Sequence, residues 1–155
     1  MQTFPITLIL RHRKENLKKC SLRGLESRSD MAFFTYPNQT INFNSNYILL
    51  TLDGEELSEK DSGKGLLLID ATWNYAKKMG ETVEAIGPWI KRTLPKEIRT
   101  AYPRVQTACT DPERGLATVE ALFIAYSLLK RPTAGLLDYY YWKESFLLTN
   151  KLIIS

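Results

Sequence analysis

The apolar positions of the chain follow two different periods. Leu66, Leu67, Leu68 and Ile69 form an unbroken apolar run, the pattern of a strand covered on both faces, and Gly63 and Gly65 punctuate its start. Residues 6–11, 31–36 and 47–52 read as further strands, the second stopped by Pro37-Asn38 and the third closed by the turn signal Asp53-Gly54. Residues 40–44 read as a weaker strand, and residues 17–28 as a turn with a short helix broken at Gly24. After Asp70 the period lengthens. Thr72, Trp73, Ala76 and Met79 lie at amphipathic spacing, which predicts a helix over 72–86 that Gly87-Pro88 breaks. Residues 88–104 hold three prolines and read as a loop with short helical turns, followed by a short strand at 105–109 and a turn at 110–116. A second helix is predicted over 117–130, where Val119, Leu122, Phe123, Tyr126 and Leu129 recur at three- and four-residue steps. Residues 135–149 read as a last helix, rich in aromatics. Alternating strands and helices make an α/β fold with a largely parallel sheet.

The strand at 66–70 ends in an acid. In open α/β sheets the carboxyl edge of the strands is where ligands bind, so Asp70 is a candidate functional carboxylate. The plain alternative is that Asp70 or Thr72 caps the following helix. Glu120, in an apolar helix, raises the same question. It reads as a helix acid that complements the macrodipole, with Ala117 and Thr118 nearby. Ala117 and Ala121, one turn apart, would let a flat group approach that helix closely.

Composition narrows the function classes. A chain of 155 residues with 44% hydrophobic content builds one domain, or one domain with a small N-terminal lobe. No run approaches the roughly 18 apolar residues of a membrane span. The opening apolar stretch has no basic segment before it and no small-residue cleavage site, and reads as a strand. Cys20 and Cys109 lie far apart without a CxxC pair, which points to reduced thiols and the cytoplasm. His12 is the sole histidine, so zinc sites with two or three histidines and a Ser-His-Asp triad are excluded.

The net charge of +4 is unevenly spread. Residues 11–28 carry seven Lys/Arg (Arg11, Arg13, Lys14, Lys18, Lys19, Arg23, Arg28) against two Glu, and residues 91–104 carry five (Lys91, Arg92, Lys96, Arg99, Arg104) against one. The stretch 29–90 carries four positive and nine negative charges. Two basic segments on an otherwise neutral or acidic chain suggest a polyanion such as RNA, with a solvated charged surface as the alternative.

Asp70-x-Thr72-Trp73 after an apolar strand, then Thr118-Val119-Glu120-Ala121 on a helix, resembles the DTW-domain proteins and is similar to the related ribosomal-RNA aminocarboxypropyltransferases. LKKCS at 17–21 and YWKESFLLTN at 141–150 resemble the ribosomal branch, whereas DATW at 70–73 and GLATVEAL at 115–122 look like the transfer-RNA branch. The ribosomal branch usually has Asp-Cys-Ser-Trp where this chain has Asp70-Ala71-Thr72-Trp73, and the N-terminal cysteine pairs of many DTW proteins are missing. The resemblance implies a SPOUT-like fold: a mostly parallel sheet with a knotted C-terminal half, residues 46–155, and a small basic N-terminal α/β lobe, residues 1–45. It implies S-adenosylmethionine as cofactor, no metal, and transfer of the 3-amino-3-carboxypropyl group to a uridine of tRNA, the preferred acceptor, or to a pseudouridine-type base of rRNA, with release of methylthioadenosine. Asp70 would accept the proton of the base or orient it. Ser21 and Leu22 would face the methionine carboxylate, Leu50 and Leu52 one side of the adenine, and Leu116, Ala117, Thr118 and Ala121 the other. Thr72 and Trp73 would complete the wall, the indole favouring the cation. Arg11, Arg13, Lys14, Lys18, Lys19, Arg92, Arg99 and Arg104 would contact RNA. A SPOUT-type methyltransferase and a non-catalytic RNA-binding module are the rival expectations.

Overall fold

Leu66, Leu67 and Leu68 are shielded from solvent on both sides of their strand, because that strand is the middle of a sheet. The computed structural model describes residues 4–15, 21–101 and 116–151, apart from the side chain of Trp73. Among the described residues five strands form one sheet: β1 (Thr7–His12), β2 (Met31–Tyr36), β3 (Tyr47–Glu56), β4 (Gly65–Asp70) and β5 (Ile90–Thr93), in the order β2-β1-β4-β3-β5. Every pairing is parallel. Three helices cover it: α1 (Trp73–Ala85), α2 (Thr118–Leu128) and α3 (Lys143–Thr149). The boundary expected near residue 45 falls between β2 and β3, which are strands of one sheet.

Alternation along β4 sorts the core into two halves. Leu66 and Leu68 join Ile9, Ile48, Val119, Leu122, Tyr126 and Phe146 on the α2 and α3 side. Leu67 joins Leu10, Leu49, Met79, Val83 and Trp89 on the α1 side. Asp70 continues the Leu66–Leu68 set, so its carboxylate is delivered toward α2.

Several elements differ from expectation. The Asp53-Gly54 signal does not end β3. Leu50 and Glu55 both pair with Arg92, so residues 51–54 bulge out of a strand that continues to Glu56. Gly54 has φ +102°, which only glycine adopts without strain. β5 sits between Pro88 and Pro95, at the sheet edge where prolines are tolerated. Residues 40–44 form no strand; Ile41 plugs the α1-side core from an irregular segment. Residues 21–30 form turns rather than a helix, and the last helix contracts to α3, with turns over 135–142. The strand expected at 105–109 lies outside the described residues.

Candidate active site

Asp70 is 3% exposed at the carboxyl end of β4. Arg11, its register partner on β1, donates from Nε to Asp70 Oδ2 at 3.1 Å. Thr118, the first residue of α2, donates its hydroxyl to Asp70 Oδ1 at 2.9 Å. Arg11 also reaches Glu26 Oε2 at 3.2 Å and lies over the Phe33 ring at 4.8 Å. Arg11 therefore does not belong to an RNA-facing surface as expected. It is buried, and its charge is used inside the site.

The start of α2 is built without a side-chain cap of its own, since Ala117 is the N-cap. Ser21, from a distant loop, supplies the substitute: Val119 N–H donates to its Oγ at 3.2 Å. Glu120 is fully buried and accepts from Ala117 N–H at 2.8 Å, Ala101 N–H at 2.8 Å, the Thr100 hydroxyl at 2.6 Å and the Tyr140 hydroxyl at 2.8 Å. It is a structural hub joining α2 to two other segments. On α1, Thr72 is the N-cap position but makes no side-chain cap bond, so that part of the capping expectation is corrected.

Beside the Asp70–Thr118 pair opens a cavity of about 770 Å³, within the range of roughly 300–1,000 Å³ usual for small-molecule sites. The bulge of β3 gives Leu50, Thr51 and Leu52 to one wall, and Leu116, Thr118 and Ala121 form the opposite wall. Leu52 is 58% exposed, an apolar rim residue rather than a core one. α1 closes a third side with Ala71 before it and Ala76 and Gly80 along it, while Lys77, Glu81 and Glu84 add charge at that side. This α1 face was not anticipated. Its signal was present, since Ala76 and Gly80 repeat the one-turn small-residue spacing noted at Ala117 and Ala121.

The remaining expected residues spread out. Ala117 is buried at the helix start and Leu22 is packed in the core. Trp73 opens α1 beside the cavity-lining Ala71, but its side chain is outside the described part. Arg13 and Lys14 are exposed just beyond β1, at the same edge of the sheet. Arg92 is not a free cation: Nε donates to the buried Asp61 at 3.2 Å, and Nη2 lies 3.6 Å from Glu55 Oε2, so it clamps β5 to the β3–β4 connection. Arg99 is half-buried, with Nη1 turned back onto the Lys96 and Ile98 carbonyls. Lys18, Lys19 and Arg104 lie outside the described residues. Among the described residues no group of three or more His, Cys, Asp or Glu could hold a metal ion, and no helix is long and apolar enough to cross a membrane.

No protein-family model and no curated protein matches the chain. A solved structure does. The SAM-dependent rRNA:acp-transferase Tsr3 from Vulcanisaeta distributa superposes with a TM-score of 0.73 over 97% of this chain and 81% of its own, at 23% identity. This chain shares its fold.

His12 ends β1 one residue beyond Arg11. Its ring stacks on Tyr75 of α1 at 3.9 Å and 17°, with Tyr36 at 5.7 Å. Its Nδ1 accepts Lys14 N–H at 3.0 Å. Burial first, then the charges of Arg13 and Lys14, hold its pKa below the ordinary value.

Proposed function

We propose that the chain is an S-adenosylmethionine-dependent transferase that moves the 3-amino-3-carboxypropyl group to a base in RNA. The observation that carries this reading is the cavity between the β3 bulge, α1 and α2, at whose side Thr118 contacts Asp70. The fold shared with an rRNA:acp-transferase supports it. The residues present fit such a group. Two apolar walls, Leu50 with Leu52 and Leu116 with Ala121, stand on either side of a slot for a flat ring, and the small residues Ala71, Ala76 and Gly80 keep the α1 side open.

When bound, S-adenosylmethionine supplies a sulfonium that activates its attached carbons. The chain's own work is to choose which carbon meets the acceptor. Asp70, fixed by Arg11 and Thr118, orients the acceptor base from the floor of the sheet edge. Ser21 would offer the hydrogen of its hydroxyl toward the methionine carboxylate, while its oxygen holds Val119 N–H. Leu22 would contribute there only through its backbone, and Thr72 and Trp73 belong to the wall at the start of α1.

For the acceptor, DATW at 70–73 leans toward tRNA. The fold shared with an rRNA enzyme supports ribosomal RNA, and that is the acceptor proposed. Arg13, Lys14, Lys18, Lys19, Arg99 and Arg104 are the proposed RNA contacts. A SPOUT-like knotted C-terminal half and a cytoplasmic location are parts of the same proposal.

Incubating the protein with S-adenosylmethionine and total RNA from a strain lacking the gene tests the reading. Methylthioadenosine is the expected product. S-adenosylhomocysteine would make the protein a methyltransferase instead, and no turnover would leave an RNA-binding module.

A further inference from the structure

We propose that Thr93 reads the adenine of S-adenosylmethionine, its hydroxyl accepting a hydrogen bond from the exocyclic amine at the edge of the base. This rests on the transferase reading above.

Thr93 is the last residue of β5, as Asp70 is of β4, so both stand at the carboxyl edge of the sheet. Thr93 lines the cavity beside Leu94. It is 7% exposed, and its hydroxyl oxygen is shut from solvent without a hydrogen-bond partner among the described residues. Buried hydroxyls in native folds are nearly always paired, since a bond left unmade away from water costs free energy. The other two threonines of the cavity wall have theirs engaged. The Thr118 hydroxyl donates to Asp70 Oδ1 at 2.9 Å, and the Thr51 hydroxyl donates to Asp53 O at 2.6 Å. Lys77, Glu81 and Glu84 of α1 are exposed charges. Among the described residues, Thr93 is the one buried polar side chain of the wall whose hydrogen-bonding capacity is left for a ligand.

The backbone around Thr93 is fixed. Thr93 pairs with Glu56, its carbonyl accepts Leu57 N–H at 2.8 Å, and the preceding Arg92 is tied to Asp61. What stays adjustable is χ1. A step between staggered wells turns the hydroxyl to meet a ligand, and no internal bond is broken by it.

The sheet sets which part of the cofactor this hydroxyl meets. The order β4-β3-β5 places β5 two strands from Asp70, about 10 Å at the usual strand spacing. Asp70 marks the reacting end, so the far end of the slot, past Leu50 of β3, takes the base and not the amino acid. The apolar walls there offer the adenine ring no polar contact, and its exocyclic amine needs an acceptor at the edge. A threonine hydroxyl accepts such a bond.

Calorimetry and thermal unfolding of Thr93→Val and Thr93→Ser test this. Valine keeps the shape and removes the hydroxyl, and serine keeps the hydroxyl. Without ligand, Thr93→Val should melt no lower than wild type, because it removes a buried group that has no partner. Its affinity for S-adenosylmethionine should nevertheless fall about 10-fold, the value of one hydrogen bond. Thr93→Ser should stay within about 3-fold of wild type. The sharper comparison uses methylthioadenosine and the 5′-methylthio derivative of purine riboside, which lacks the exocyclic amine. Wild type should prefer the first, and Thr93→Val should lose about 10-fold of that preference. A Thr93→Val protein that binds S-adenosylmethionine as wild type does, or keeps the full preference, overturns the proposal. So does one that melts well below wild type, since the hydroxyl would then have a partner inside the fold. Wild-type protein that neither binds S-adenosylmethionine nor releases methylthioadenosine with total RNA of a strain lacking the gene sinks the transferase reading and this inference together. Active wild type with unaltered binding in Thr93→Val sinks this inference alone.

Discussion

Arg11 and Asp70 are register partners on adjacent parallel strands, and their side chains close a 3.1 Å ion pair at the carboxyl edge of the sheet. Both are nearly buried, at 8% and 3% exposure. Neither charge would survive there alone, so the pair is a fixed electrostatic element beside the cavity-lining Thr118.

The cost of breaking it should be asymmetric. Arg11→Met leaves Asp70 buried without its ion-pair partner, and should destabilise by roughly 3–5 kcal/mol. Asp70→Asn leaves Arg11 its second partner, Glu26, and should cost less, about 2 kcal/mol, as expected when a buried charge keeps one hydrogen-bonded partner. Denaturant midpoints of the two variants check the order. Equal midpoints, or an Arg11→Met protein as stable as wild type, would show the pair to be solvated.

Glu120 should behave as a structural residue. Its carboxylate accepts from four donors on α2, the 100–101 segment and Tyr140. Glu120→Gln replaces one acceptor oxygen with an NH2 that faces donors. The variant should lose about 2–3 kcal/mol, the penalty for buried groups left unsatisfied. Thermal unfolding measures this, and S-adenosylmethionine binding by the folded fraction should be nearly unchanged.

What was legible in the sequence follows from how local each signal is. The apolar run 66–69 specified a central strand because a strand buried on both faces needs no alternation, and Asp70 was placed at its end by the same pattern. β5 was hidden because its four residues lie between prolines and gain their partners only by pairing with β3. The Asp53-Gly54 signal was real but marked a bulge, and sequence alone does not distinguish a bulge from a strand end. Arg11 looked like part of a basic surface because charge counting ignores register. Its role depends on β1 pairing with β4, a contact 59 residues away in sequence.

The cavity predicts opposite outcomes for two substitutions on its walls. A Cβ at Gly80 would meet nothing closer than Ile69 Cδ1 at 3.8 Å, an ordinary contact. Gly80→Ala should therefore gain about 0.5–1 kcal/mol from helix propensity, with S-adenosylmethionine binding retained. Ala121→Phe places a ring across the slot and should weaken binding by more than about 10-fold, a 1.4 kcal/mol effect. Calorimetry on both proteins decides whether this cavity is the binding site, since unchanged affinity in Ala121→Phe would move the site elsewhere.

Glu15, half-buried three residues past the end of β1, should leave a mark on stability. Its folded pKa of about 7 lies above the ordinary 4.5 of an unfolded chain. Between these values the folded state binds more protons, so Glu15 favours unfolding increasingly as pH rises from about 4.5 to 7, and the loss is complete above 7. The shift would correspond to roughly 3 kcal/mol undiscounted, and solvent screening of a half-exposed carboxyl reduces it to about 1 kcal/mol. His12 runs the other way: its folded pKa is lowered, so it favours the folded state increasingly as pH rises through its titration. The difference between wild type and Glu15→Gln removes the His12 contribution, which both share. Glu15→Gln should therefore gain stability relative to wild type by about 1 kcal/mol between pH 4.5 and pH 8. Urea midpoints at the two pH values measure it, and a constant difference would mean that the Glu15 carboxyl is no harder to ionise in the fold than in water.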